Sequence, residues 1–304
     1  MNSGILLVDK PQGITSHDVV ARTRRLAGTR KVGHAGTLDP MATGLLILGV
    51  GSATRLLHHL VGLDKEYLAT MRLGWDTTTD DAEGEPLAPA PADRVAAADQ
   101  AAVRAAMRAW TGDIEQVPST VSAVKIAGRR AYQRARDGET VELAARPVTV
   151  SAFELLDLRP GDGCVDVDVR VACSSGTYVR ALARDVGADL GTGGHLTALR
   201  RTRVGAFGVD EASDLEGLEV AQALLSPADA ARRTLPVAEI TADQATDLGH
   251  GKRIAAPAGL AGLAKADAAA IAAIDPDGRL VAIVERRGAE LKVVTGFPAE
   301  EART

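Results

Sequence analysis

Apolar residues along this chain cluster in short runs and alternations, and a helical period appears in only a few places. Ile5–Val8 is an apolar run closed by Lys10-Pro11-Gln12-Gly13, which predicts a buried strand and a turn. Leu45–Val50 repeats that pattern. Lys65–Leu73 alternates, with Tyr67, Ala69, Met71 and Leu73 on one face and Glu66, Leu68, Thr70 and Arg72 on the other. Gly163–Cys173 does the same, setting Val165, Val167, Val169 and Val171 against Asp166, Asp168 and Arg170, the pattern of a sheet wet on one side. Arg146–Leu158 is a further strand. Helical spacing predicts Asp18–Leu26, Ala53–Val61, Val95–Trp110 and a helix capped by Ser174–Thr177 that runs to Leu190. After Gly208 the composition shifts to alanine and acid. There Ser226-Pro227 and the capping box Thr241–Gln244 start short helices, and Ile271–Ile274, Leu280–Glu285 and Lys292–Thr295 read as strands of a small, mostly-β module over about Leu235–Pro298.

At 304 residues the chain can bury a sizeable core, enough for one large domain and a smaller one. A formal net charge of -5 announces no polyanion partner, but the sign is uneven. Arg22, Arg24, Arg25, Arg30 and Lys31 form one block without acids. Lys125, Arg129, Arg130, Arg134 and Arg136 form a second around Tyr132, and Arg200, Arg201 and Arg203 a third. Each reads either as a solvated face or as a phosphate-facing patch, and the interleaved tyrosine suits contact with RNA. Cys164 and Cys173 fit neither a metal spacing nor a disulfide framework, which points to a reducing compartment. No apolar run is long enough for a membrane span, and the first residues lack the flanks of a signal peptide, so the expectation is a cytoplasmic protein.

The stretch with the most chemistry per residue is Gly33–Gly44, which holds His34, Thr37, Asp39, Pro40 and Thr43. Proline pushes the preceding aspartate out of the helical region, and the glycines let the backbone approach a ligand. Asp39 is then either a turn aspartate or a catalytic one. His58 and His59 have no carboxylate or cysteine at metal spacing, so they are surface or packing residues. The acidic loop Gly74–Pro91 is too irregular for a calcium site. Cys173 closes a valine strand with no histidine or lysine near it in sequence, which favours packing over nucleophilic work.

Five motifs in order carry a resemblance to a known family. They are Gly36–Gly44, Lys65-Glu66-Tyr67, Val117-Pro118-Ser119 with Ser122–Lys125, Ser174–Arg180 and Gly194–Arg201. Together they closely resemble the TruB family of tRNA pseudouridine synthases over about residues 4–210. The resemblance implies an α+β pseudouridine-synthase fold, with a mixed, mainly antiparallel central sheet flanked by helices. It implies a catalytic domain over 1–230, an RNA-clamping insertion near 117–142 and a PUA-like RNA-binding domain over 231–304. It makes the chain an isomerase acting at position 55 in the TΨC arm, with no cofactor and no metal, and the expected partner of this monomer is tRNA. Asp39 matches the catalytic aspartate, Arg180 the arginine paired with it, and Tyr67 the tyrosine that stacks on uracil. Tyr178, Leu199 and Lys10 match active-site support, and His34 matches the residue that fills the gap left by the flipped base. The basic blocks then read as RNA contacts. The alternative is a non-catalytic tRNA-binding or tRNA-folding protein on the same fold, a reading disfavoured by the presence of Asp39, Tyr67 and Arg180 together.

Overall fold

The computed structural model describes residues 3–119, 125–126, 129–130, 143–257, 260 and 270–298. Its contacts group into two compact units: Met1–Pro40, Gly44–Gly62 and Gly205–Thr304 in the first, Met41–Thr43 and Leu63–Val204 in the second. This division differs from the expected boundary at 230. The reason is strand pairing between segments distant in sequence. Gly4–Lys10 pairs antiparallel with Thr43–Val50, parallel with Ser213–Asp214 and antiparallel with Leu224–Leu225, so the chain beyond Gly205 returns to its first strand. Among the described residues no helix is long and apolar enough to cross a membrane.

In the first unit Val32–His34 adds antiparallel to Thr43–Val50. The helix Ser16–Leu26 starts with a complete capping box. The Thr15 hydroxyl accepts from the Asp18 N–H at 3.1 Å, and the Asp18 carboxylate accepts from the Thr15 N–H at 2.9 Å. The helix buries Ser16, Val19, Val20 and Thr23 and turns His17, Arg22, Arg24 and Arg25 outward. The predicted helix Ala53–Val61 is a 3-10 turn, Gly51–Leu56, followed by a short α-helix, Leu57–Val61. Towards the end of the chain a five-stranded sheet runs in the order Val237–Glu239, Ile271–Ile274, Leu280–Arg287, Glu290–Gly296, Ile254–Ala255. Its core is Ala238, Ile240, Leu248, Ile271, Val284 and Leu291.

The second unit is an antiparallel sheet in the order Gly194–Val204, Lys65–Leu73, Val165–Cys173, Arg146–Pro160, Gly112–Gln116. The alternation seen in the sequence holds: Lys65, Tyr67, Ala69, Met71 and Leu73 are buried, and their neighbours face out. The wet face carries a ladder of ion pairs. Arg72 grips Asp166 with two bonds of 2.7 Å, Arg159 reaches Asp168 at 2.9 Å, and Arg170 joins Glu154 to Glu66. Exposed pairs of this kind contribute about 0–1 kcal/mol each, so the ladder fixes strand register more than stability. The predicted helix Val95–Trp110 is two helices, Ala92–Ala96 and Gln100–Ala109. They part where Asp99 caps the second by accepting from the Ala102 N–H at 2.8 Å.

The helix Val179–Leu190 begins at Tyr178 without a side-chain cap, so Ser174–Thr177 do not play the expected capping role. It ends at Gly191, whose φ of 67° is the left-handed stop favoured by glycine. The turn after it folds back onto the helix. The N–H groups of Thr192 and Gly193 both donate to the Gly187 carbonyl, at 2.9 and 3.1 Å. A Cβ on Gly187 would stand 2.3 Å from the Gly193 carbonyl carbon and 2.4 Å from the Gly194 nitrogen. Both are backbone atoms that cannot step aside. On an open helix Gly187→Ala would be stabilising by about 1 kcal/mol. Here the overlap decides the sign, and we expect a loss of about 2 kcal/mol or more, read as a melting temperature lowered by several degrees. An unchanged melting temperature would show that the helix can lift off the strand.

Candidate active site

Asp39 lies on the connection 35–42 between the antiparallel strands Val32–His34 and Thr43–Val50 and is half-buried. Gly36 and Gly44, with φ of 103° and 100°, bracket it. Those dihedrals suit glycine, and they allow the tight excursion of this loop. The residues on both sides of the aspartate are held through their backbones. The Ser16 hydroxyl accepts from the Leu38 N–H at 2.8 Å and donates to the Leu38 carbonyl at 3.1 Å. The Pro40 carbonyl accepts from the Gly13 N–H at 2.8 Å and from the Lys10 ammonium at 3.3 Å. Lys10 is 0% exposed and also donates to the carbonyls of Pro11 and Ile14, at 3.0 and 2.7 Å. It therefore ties the Pro11–Ile14 turn to the Asp39 loop, which is how a lysine tolerates complete burial. His34 ends the strand Val32–His34, and its ring stands edge-on to that of His17, 5.7 Å away between centroids.

Two residues beyond Asp39 the chain enters the second unit, where Arg200 donates to the Thr43 hydroxyl at 3.4 Å. On the buried face of the sheet Tyr67 has Arg201 as its register partner, and Leu199 stands opposite Ala69. Tyr67 and Leu199 are both buried. Over the same unit lies the helix that Tyr178 opens and that carries Arg180 in its first turn. Arg180 is 4% exposed. It donates to the Thr79 carbonyl at 2.8 Å and forms an ion pair with Asp81 at 3.4 Å. The Asp81 carboxylate also accepts from the Thr79 hydroxyl and the Glu83 N–H. Next to it Asp80 has a φ of 59°, and its carboxylate faces Arg184 at 3.3 Å. Sequence reasoning missed Asp81, because the acidic loop Gly74–Pro91 was weighed only as a calcium site and set aside as too irregular for one. The signal that could have found it is a run of threonines and aspartates at 76–81 in a stretch closed by short strands, Trp75–Thr77 and Pro86–Pro89.

The basic blocks fare differently. Arg22, Arg24, Arg25, Arg30 and Lys31 are exposed, and Arg24 also donates to the Val32 carbonyl at 3.0 Å. Arg201 is corrected: at 1% exposure it offers no surface to a phosphate. Side chains alternate across a strand, so consecutive arginines in Gly194–Val204 cannot share a face. Arg200 and Arg203 are half-buried, and Arg203 lies 3.8 Å from Glu66. Lys125 and Arg129 fall on the paired two-residue strands Lys125–Ile126 and Arg129–Arg130, whose side chains lie outside the described residues, as do Tyr132 and Arg134 altogether.

Two titratable groups flank Tyr67 along the sheet. Burial, and then the charge of Arg201, push the Lys65 ammonium down to about 8. Burial pushes the Cys173 thiol up to about 11, which suits packing and not nucleophilic work. The unfolded chain keeps its lysine protonated to about 10.5, so above pH 8 it binds more protons than the folded chain and stability rises with pH. Above pH 9 the thiol acts in the opposite sense, because only the unfolded chain ionises it there. Urea unfolding should therefore show stability climbing by about 1 kcal/mol between pH 8 and 9 and then levelling. Lys65→Met should flatten the climb; a climb of the same size in that variant would assign it to another group.

Residues 24–179 match the family model described as TruB family pseudouridylate synthase, N-terminal domain. The chain belongs to the TruB family. Residues 180–238 match the tRNA pseudouridylate synthase B C-terminal domain, and 235–298 the C-terminal model of tRNA pseudouridine synthase II. The tRNA pseudouridine synthase B of Leifsonia xyli is 57% identical over 99% of this chain and 98% of its own length. Those of Arthrobacter sp. and Thermobifida fusca are 56% and 55% identical, over 99% and 98% of this chain and 99% of each relative. Among solved structures, a chain of a Cbf5-Nop10-Gar1 complex aligns with a TM-score of 0.73 at 26% identity, covering 97% of this chain and 85% of that one. A chain of an H/ACA RNP bound to a substrate RNA containing 2′-deoxyuridine shares the fold, with a TM-score of 0.71 at 24% identity over 98% and 86% of the two chains.

Proposed function

We propose that this chain converts uridine to pseudouridine at position 55 in the TΨC arm of tRNA, as a cytoplasmic monomer, with Asp39 as the catalytic carboxylate. Its relatives carry the name tRNA pseudouridine synthase B over nearly their full length. The observation that carries the assignment of Asp39 is the bracing of its loop: the peptide groups of Leu38 and Pro40 are pinned by the Ser16 hydroxyl, the Gly13 N–H and the Lys10 ammonium. A loop held in this way presents its carboxylate in one place, which is what a catalytic group needs.

The reaction breaks the bond from uracil N1 to the ribose, turns the base, and joins C5 to the same carbon. N1 gains a proton and C5 loses one, so no electrons are exchanged and no cofactor is called for. Asp39 serves the departing uracil as nucleophile or as electrostatic partner. Arg180 is the arginine that the family's pattern pairs with that carboxylate. Tyr67 stacks on the uracil and moves the proton, Tyr178 and Leu199 line the base, and His34 takes the place the base vacates. Flipping the uridine out of the arm costs roughly a few kcal/mol, which the contacts of His34 and of the basic groups Arg22, Arg25, Arg30 and Lys31 offset. The test is incubation with an unmodified tRNA transcript followed by mapping of pseudouridine. Product at position 55 is expected; no product, or product elsewhere, overturns the reading.

A further inference from the structure

On the reading that Tyr178 and Arg180 belong to the active site, we propose that Gln116 is a positioning residue for pseudouridine formation: its side-chain amide holds the backbone of Tyr178 and so sets where the helix carrying Arg180 begins. Gln116 ends the strand Gly112–Gln116 and is 1% exposed. Its Oε1 accepts from the Tyr178 N–H at 2.8 Å, and its Nε2 donates to the Tyr178 carbonyl at 3.1 Å. One side chain thus takes both backbone groups of the residue that opens the helix, in the manner of a neighbouring strand.

The helix start has no other side-chain cap, and the Thr177 hydroxyl is turned back onto the Ser174 carbonyl. The residue just past the strand grips the same helix further along, since the Val117 carbonyl accepts from Arg184 at 2.8 Å. Arg184 in turn faces Asp80, beside the Asp81 that holds Arg180. The strand end, the first turn of the helix and the loop at 79–81 therefore fix one another around Arg180.

The chemistry explains the residue type. The site needs a donor and an acceptor on one short planar group, and a neutral amide has both. Glutamate would keep the acceptor for the Tyr178 N–H and set a second acceptor against its carbonyl. Methionine would fill the space and leave both Tyr178 groups without this partner. A shift of the helix start moves Tyr178 and Arg180 together, and a displacement of about 1 Å in such groups can cost about 100-fold in rate.

The experiment uses the full chain and an unmodified tRNA transcript. Circular dichroism checks folding, filter binding gives the tRNA Kd, and single-turnover assays at saturating enzyme give the rate. Gln116→Met is expected to lower the rate by about 10- to 100-fold with the Kd within about 3-fold of the wild type, and Gln116→Glu to fall between. A purely structural role would instead lower the fraction of active enzyme and leave the rate of the folded fraction unchanged. A Gln116→Met rate within about 3-fold of the wild type, or a loss of rate matched by an equal loss of affinity, overturns the proposal. If Gln116→Met does not fold, Gln116→Glu decides by the same criteria. Absence of pseudouridine with the unaltered chain would instead sink the reading of the site itself.

Discussion

Replacing Asp39 by asparagine is expected to lower pseudouridine formation by at least about 10⁴-fold while tRNA binding stays near that of the unaltered chain. Asparagine keeps the size of the side chain and removes the negative charge that the chemistry needs. The loop should survive the change, because the peptide groups on either side of Asp39 are held independently of its carboxylate. The Ser16 hydroxyl holds Leu38, and the Gly13 N–H and the Lys10 ammonium hold Pro40, each at a peptide group of the loop. Binding should survive because affinity for RNA comes mainly from phosphate contacts spread over a wide surface. Filter binding and single-turnover mapping on the same transcript separate the two effects. Substantial activity in Asp39→Asn would remove Asp39 from the chemistry.

The second large effect belongs to Arg180. Arg180→Ala leaves the Asp81 carboxylate, 5% exposed in its side chain, with only the Thr79 hydroxyl and the Glu83 N–H among the contacts described above. Breaking a buried pair from one side costs about 3–5 kcal/mol, whereas replacing both partners costs much less. Arg180→Ala should therefore lower the melting temperature by roughly 10 °C and abolish turnover. Arg180→Met combined with Asp81→Asn should recover much of the melting temperature and none of the turnover. If the double variant regained activity, Arg180 would be a structural residue only. If Arg180→Ala melted like the unaltered chain, the ion pair would carry no weight in the fold.

The parts of this site that could be read from the sequence are those whose chemistry is contiguous. Asp39 sits among glycines and a proline, so its loop announces itself, and Lys65–Leu73 declares both its conformation and its buried face by alternation. Residues whose roles depend on distant neighbours were silent. Asp81 becomes significant only when Arg180, far along the chain, is laid against it, and Gln116 only when Tyr178 is. Arg201 was misread because charge was counted without the strand's period, which sends it inward. The long helix expected over Val95–Trp110 broke at Asp99 because a capping side chain outweighed alanine's helix preference. The boundary of the first unit depended on the return of Ser213–Asp214 and Leu224–Leu225 to the first strand, a pairing that no local pattern encodes.

The ion-pair ladder on the wet face of the second unit has an electrostatic meaning beyond register. Arg72, Arg159 and Arg170 are each matched at contact distance by Asp166, Asp168, Glu154 or Glu66. Three arginines stand there against four carboxylates, so a polyanion approaching that face meets no net positive potential within the reach of about 10 Å that ordinary ionic strength allows. Arginine on a sheet surface is therefore no guide to where RNA lands on this protein. On the proposed function the long-range pull is assigned to exposed cations such as Arg22, Arg25, Arg30 and Lys31, where each phosphate neutralised would release a counterion that the ladder's arginines would not.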